Sequence, residues 1–265
     1  MFQHLGDGVF RRRYESLDSN IGVVFGGDGI LIVDTRASHV EGDQIRDELA
    51  TLTALPVRWV VNTHWHWDHV LGNSCFSHAE IWGHLRCREV LLSRPDEMKA
   101  AALEWLPSEQ RAEIEDSVIV APTDTFSDRV SLDIGRQVDL SFHGLGHTDA
   151  DIRIIVPDAG VAFFGDLIEE GGPPSFGDSY PIIWPKTLED ALDGAPDVLV
   201  PGHGDVVDRA FVESQRAELA AVADLAAACL RGEISVEDAS RRGPYSEQVM
   251  RSALDRAIEV GQASS

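Results

Sequence analysis

Cysteine is scarce in this sequence. Three of its 265 residues, Cys75, Cys87 and Cys229, are widely spaced and odd in number, which argues against a disulfide framework and for a reducing compartment. Long apolar runs are missing too. No stretch approaches membrane-spanning length, and the N-terminal residues, with Asp7 and then Arg11-Arg12-Arg13, hold no apolar core of signal-peptide length. A cytoplasmic location is the expectation. Positive charge is also short: 22 Lys and Arg stand against 45 Asp and Glu, a formal net charge of -23. Such a surface repels phosphate backbones and anionic lipid, so neither nucleic acid nor a membrane surface is expected as a partner. No Gly-rich phosphate loop follows any strand-like run, and low-complexity segments are absent.

What is present is enough apolar residue, 43%, to bury a sizeable core. The order of elements predicts one large domain over residues 1–230 and a short helical extension over 231–265. Apolar runs at 21–25 and 30–33, separated by Gly26-Gly27-Asp28-Gly29, predict a hairpin. Residues 40–52 carry apolar positions at helical spacing and stop before Pro56. Further strands are predicted at 57–61, 79–82, 130–134, 137–142, 151–156, 161–164 and 198–200. Helices are predicted at 85–98, 101–114, 188–192 and 209–230, with two short pieces after Gly232 and after Gly243-Pro244. Two similar halves of this kind predict an α/β sandwich of two sheets with helices on both outer faces.

The stretch Asn62-Thr63-His64-Trp65-His66-Trp67-Asp68-His69 stands where the strand at 57–61 ends. An extended backbone puts His64 and His66 on one side, and once the chain turns, Asp68 and His69 face a second point close by. Imidazole nitrogen and carboxylate oxygen are ligands that zinc, iron and manganese accept. Three more candidates follow strands: His147 in Gly144-Leu145-Gly146-His147-Thr148, Asp166 in Phe164-Gly165-Asp166, and His203 in Pro201-Gly202-His203-Gly204. Each alone is weak, since a lone His after a strand is more often a hydrogen-bonded loop residue. Together, five histidines and two aspartates on strand-end loops are what a dinuclear site needs.

This order of motifs, H-x-H-x-D-H, then G-H-T, then G-D, then P-G-H-G, resembles the metallo-β-lactamase superfamily from about residue 15 to about residue 215. The resemblance implies an αββα sandwich of two mixed β-sheets with the site at one edge between them. It implies one cation on His64, His66 and His147, a second on Asp68, His69 and His203, and Asp166 bridging both. Two zinc ions are the expected cofactors, with iron or manganese as alternatives. Asp34, at a strand end, matches an acid that in the family supports the ligands from behind, or else it caps its own turn. Chemistry of this kind ionises a water shared by two cations, polarises the substrate carbonyl and lets Asp68 orient the nucleophile.

A bridging Asp at position 166 resembles the glyoxalase II-like thioesterases, lactonases and related hydrolases rather than the best-known β-lactam hydrolases. The segment after residue 230 is short, with no basic cluster beyond Arg231, Arg241 and Arg242, and Leu167-Ile168-Glu169-Glu170 rather than a Tyr follows Asp166. The expected activity is therefore broad: hydrolysis of a small-molecule ester, thioester, lactone or amide, with β-lactam turnover as a side activity. A mononuclear iron oxidoreductase of the persulfide dioxygenase type and a non-catalytic metal-binding protein are the alternatives. The connection 169–184, with Phe176, Tyr180 and Trp184, is either a pocket wall or an ordinary packed loop, and Trp67 either lines the pocket or packs beneath it. The acidic region 85–116 is a lid, a dimer surface or a solvated face.

Overall fold

The hairpin predicted at 21–33 forms, and it lies in the larger of two sheets. The structure, a computed structural model, describes residues 1–263. Strands β1 (Gln3–Gly6), β2 (Val9–Arg13), β3 (Asn20–Phe25) and β4 (Ile30–Val33) run antiparallel in sequence order. Helix α1 (His39–Leu52) then crosses over, and β5 (Val57–Val61) pairs parallel with β4. After the short helix α2 (Trp67–Val70), β6 (Glu80–His84) joins β5 in parallel. Helices α3 (Leu85–Ser93), α4 (Pro95–Trp105) and α5 (Arg111–Asp116) precede the last strand of this sheet, β7 (Asp124–Phe126).

The second sheet has five strands in the order β12-β11-β10-β9-β8. Its members are β8 (Arg129–Asp133), β9 (Gln137–Phe142), β10 (Ile152–Val156), β11 (Val161–Gly165) and, after α6 (Trp184–Leu192), β12 (Val198–Pro201), which pairs parallel with β11. Helices α7 (Arg209–Leu230), α8 (Val236–Ser240) and α9 (Glu247–Ala263) complete the described residues. The result is the αββα sandwich of two mixed sheets. No helix among the described residues is long and apolar enough to cross a membrane, and all three cysteines are free.

Strand alternation sorts the core into layers. Leu31 and Val33 of β4 point inward against Ile152 and Ile154 of β10 and Phe163 of β11, whereas Ile30 and Ile32 point outward to Ile45 and Leu49 of α1. On the far side Ala162 and Phe164 meet Trp184 and Leu188 of α6, Val212 and Leu219 of α7, and Met250 and Leu254 of α9. The sheets approach so closely at Gly22 that a Cβ there would lie 2.5 Å from the Phe163 ring. Residues 236–263 thus share a core with the second sheet.

Some boundaries depart from expectation for local reasons. The helix read as continuous over 85–98 breaks at Arg94, because Pro95 lacks an N–H and disfavours helical backbone in the residue before it; Pro95 instead opens α4. The helix read over 101–114 is likewise interrupted, with Pro107 lying between α4 and α5. Strand β2 is hidden by its three arginines. Arg11 is nonetheless buried, donating to Asn20 Oδ1 and Gly204 O and pairing with Asp205, so its charge is balanced in place.

Phe163 fills the space between the sheets at 3% exposure. Phe163→Ala is expected to lower the unfolding free energy by about 3–5 kcal/mol. Leu92→Ala, at a site 64% exposed, is expected to change it by less than about 0.5 kcal/mol. Urea denaturation of both variants checks the pair.

Candidate metal centre

Four loops, leaving the C-terminal ends of β5, β9, β11 and β12, bring the candidate ligands to one end of the sandwich. The turn after β5 carries His64 and His66, and α2 carries Asp68 and His69. His147 lies between β9 and β10, Asp166 directly after β11, and His203 after β12. These residues form two groups, His64, His66, His147 and Asp166 in one and Asp68, His69 and His203 in the other. Within each group the ligand atoms lie within 4.8 Å of one another.

Asp166 stands between the groups. Its Oδ2 is 3.5 Å from His147 Nε2, 3.8 Å from His64 Nε2 and 3.4 Å from His203 Nε2, and its Oδ1 is 3.4 Å from His69 Nε2. Gly202 permits this approach, since any Cβ at that position would collide with Asp166 Oδ1. His66 Nδ1 and His147 Nε2 are 2.8 Å apart, and His69 Nε2 and His203 Nε2 are 3.3 Å apart. His64 Nε2 and Asp166 Oδ1 are buried with no hydrogen-bond partner. Buried lone pairs are costly when left alone, so their convergence fits a donor set built for divalent cations.

The outward-facing nitrogens explain how the rings are aimed. Asp34 Oδ2 accepts from His69 Nδ1 at 2.9 Å and from Thr63 Oγ1 at 2.8 Å, and that hydroxyl lies 3.0 Å from His64 Nδ1. One carboxylate therefore serves two imidazoles, and its oxygens go to Thr63 and His69 rather than to the amides of its own turn. Asp34 sits at φ +64, a left-handed backbone uncommon outside glycine and concentrated at functional sites. His203 Nδ1 donates to Leu17 O at 2.7 Å. In all three rings Nε2 is left facing inward.

Burial and charge split the histidines. Burial, reinforced by the neighbouring imidazoles, holds His64 well below the ordinary imidazole value and His147 down at about 3. For His69 and His203 burial acts in the same direction but is overcome by Asp166 and Asp68, so both are raised well above that value. Asp68 is lowered to about 2, burial being outweighed by His69 and His203. Burial thus favours neutral rings at His64 and His147, and the carboxylates favour charged rings at His69 and His203.

A sequence model of the metallo-beta-lactamase superfamily matches residues 15–203. The chain belongs to that superfamily. Among curated relatives it is 25% identical over 217 residues to a linear primary-alkylsulfatase from a Pseudomonas species, covering 68% of this chain and 40% of that protein. It is 27% identical over 188 residues to a beta-lactamase-like protein 2 homolog from Drosophila melanogaster, covering 69% of this chain and 57% of that one. The chain thus spans about half the length of these relatives. Solved structures agree on the fold. A metallo-beta-lactamase from Pontibacter korlensis superposes with a TM-score of 0.67 at 18% identity, covering 83% of this chain and 98% of that one. A mono-zinc metallo-beta-lactamase from Pseudomonas aeruginosa gives 0.64 at 20% identity, covering 83% and 94%.

Not every residue singled out in the sequence reaches the site's surface. Of the aromatics considered for the pocket, Trp67, Phe176 and Trp184 are buried, with Trp67 packed against Leu71, Ala102 and Ile114. Trp184 lies edge-on to both His147 and Phe176, closing the site from behind rather than lining an entrance. Tyr180 is half-buried and borders a cleft of about 410 Å³ beside His66, together with Trp65, Arg86, Arg94 and Arg256. His84 stacks on Phe142 and His143 bonds to Ser141, so both are satisfied away from the cluster. Sequence reasoning passed over Asp151, which accepts from Thr148 N and Oγ1 and shapes the His147 turn. Thr148-Asp149-Ala150-Asp151 is a side-chain-bonded turn composition that would have flagged it.

Zinc uptake by the metal-free protein at pH 7 is expected to release protons, because His69 and His203 are raised well above the ordinary imidazole value, with affinity rising as pH increases. Calorimetric titration in buffers of different ionisation enthalpy measures this. Uptake without proton release would contradict the charge assignment.

Proposed function

We propose that this chain is a dinuclear metal-dependent hydrolase of small acyl compounds. His64, His66 and His147 would hold one cation, Asp68, His69 and His203 would hold the other, and Asp166 lies within reach of both groups. The observation that carries this reading is the position of Asp166, with one carboxylate within 3.8 Å of four inward-facing imidazole nitrogens drawn from both groups. Bound there, two divalent cations would lower the pKa of a water between them and polarise a substrate oxygen.

The chain's own residues supply the remainder. Asp68, with 14% of its side chain exposed, lies at the accessible face together with His66 and His203, at 17% each. There its carboxylate can accept a hydrogen bond from the attacking water and orient it toward the substrate. Oxygen adds to the acyl carbon, the bond to the alkoxide, thiolate or amine breaks, and the leaving group takes up a proton. No side-chain nucleophile is needed: burial pushes the Cys75 thiol up to about 11, and Cys87 is buried. Trp184 and Phe176 keep solvent from the rear of His147.

The kinship with a protein named an alkylsulfatase supports including sulfate esters among candidate substrates. A single-iron oxidoreductase would require only two histidines and an acid, and the complete second group of ligands weighs against it. Metal analysis followed by assays against thioesters, lactones, β-lactams and alkyl sulfates tests the proposal. About two zinc or manganese ions with acyl turnover supports it, whereas one iron with oxygen uptake overturns it. His147→Ala is expected to lower turnover at least about 100-fold while urea unfolding stays cooperative, and His4→Ala is expected to change neither.

A further inference from the structure

Three of the candidate ligand rings have their outer nitrogen Nδ1 satisfied by Thr63, Asp34 or Leu17, and so present Nε2 inward. His66 is turned the other way. Its Nδ1 is the nitrogen that meets His147 Nε2 at 2.8 Å, so any proton it carries as a neutral ligand must sit on Nε2. The group that faces Nε2 is Asp178, whose Oδ2 lies 3.2 Å away. A carboxylate accepting from Nε2–H selects the tautomer with a free lone pair on Nδ1.

Asp178 lies in the irregular connection between β11 and α6, and something must hold it there. Two ties come from within the large domain: Tyr180 N donates to Gly146 O at 2.8 Å, and Phe176 is anchored in the core. The third comes from α9. Arg256 Nε donates to Ser179 O at 2.9 Å and Arg256 Nη2 to Asp178 O at 3.3 Å, with the guanidinium 5.8 Å from the centre of the Tyr180 ring. Helix α9 is itself fixed by Met250, Ala253, Leu254 and Ala257, all buried in the core around α6 and α7. Arg256 lies well past residue 203, where the superfamily match ends.

We propose that Asp178 is a positioning residue that selects the inward-facing nitrogen of His66, and that the C-terminal helix, through Arg256, holds Asp178 in place. Residues beyond the superfamily match thereby become part of the metal centre. The inference rests on the ligand assignment proposed above. As a surface ion pair the His66–Asp178 contact would add little to stability, since Asp178 is 56% exposed. Its consequence lies in which nitrogen carries the proton.

The test begins with the metal-free protein, where long-range proton–nitrogen spectra report the tautomer of His66. Wild type is expected to show Nε2–H, D178A to lose that preference and D178N, which keeps an acceptor oxygen, to retain part of it. The second arm titrates cobalt(II) or zinc into the same proteins. D178A is expected to weaken the cation held by His64, His66 and His147 by about 10–100-fold, with the thermal midpoint of the metal-free protein unchanged. R256A and the milder R256K are expected to move both readouts in the same direction by less, and D178A/R256A to match D178A alone. A wild-type tautomer retained in D178A, an unchanged affinity, or full additivity in the double variant would overturn the proposal. Because the tautomer comparison needs no metal, its failure and the failure of the hydrolase reading are read separately.

Discussion

Four of the five imidazoles that share this dry volume hand the nitrogen facing away from it to a partner, and the exception, His147, keeps Nδ1 buried without one. That pairing constrains this end of the sandwich. A neutral imidazole has one donor and one acceptor, and an inward lone pair requires an outward N–H with a partner. Asp34 meets the requirement for two rings at once, directly for His69 and through Thr63 for His64. Its left-handed backbone is the local cost, held by the ladder bond from Asp34 N to Val61 O at 2.9 Å and by the parallel pairing of β4 with β5. His203 instead uses the carbonyl of Leu17, itself at φ +56. Two of the four left-handed non-glycine residues among those described, Asp34 and Leu17, thus hold candidate ligand rings.

Charge balance is the second requirement. Asp68 and Asp166 are buried or nearly so, and without cations nearby they are compensated by His69 and His203. Protons there take part of the role that cations would otherwise fill. The inward orphaned atoms, His64 Nε2 and Asp166 Oδ1, mark where that substitution is incomplete.

The cluster was legible in the sequence because its histidines are a rare residue type and stand with its aspartates in fixed order at strand ends. The sheets were legible where strands are apolar: β3, β4, β9 and α7 fall within a residue of expectation. What escaped was carried by tertiary context. Strand β2 was hidden by three consecutive arginines, of which Arg11 is balanced only in the fold by Asp205 and Asn20, and β7 is three residues long. The aromatics at 176 and 184 were ambiguous because periodicity does not say which face of a loop is covered, and the α6–α7–α9 core covers them. Asp178 carried no signal at all. Gly177-Asp178-Ser179 reads as an ordinary turn, and only the three-dimensional fold brings it to His66, 112 positions earlier.

The division of ligands between the sheets explains why the fold and the site are hard to separate. In the first group His64 and His66 come from the larger sheet and His147 and Asp166 from the smaller. In the second, Asp68 and His69 come from the larger and His203 from the smaller. Neither group can form within one sheet, so its dimensions are set by how the sheets pack. That spacing is fixed beneath the site by Gly22 against Phe163 and by Leu31 and Val33 against Ile152 and Ile154. Interiors packed at crystal-like density transmit displacement rather than absorb it. A shift in that layer would move the ligands of both groups together, and cations bound across the seam would in turn favour the closed arrangement of the sheets by mass action.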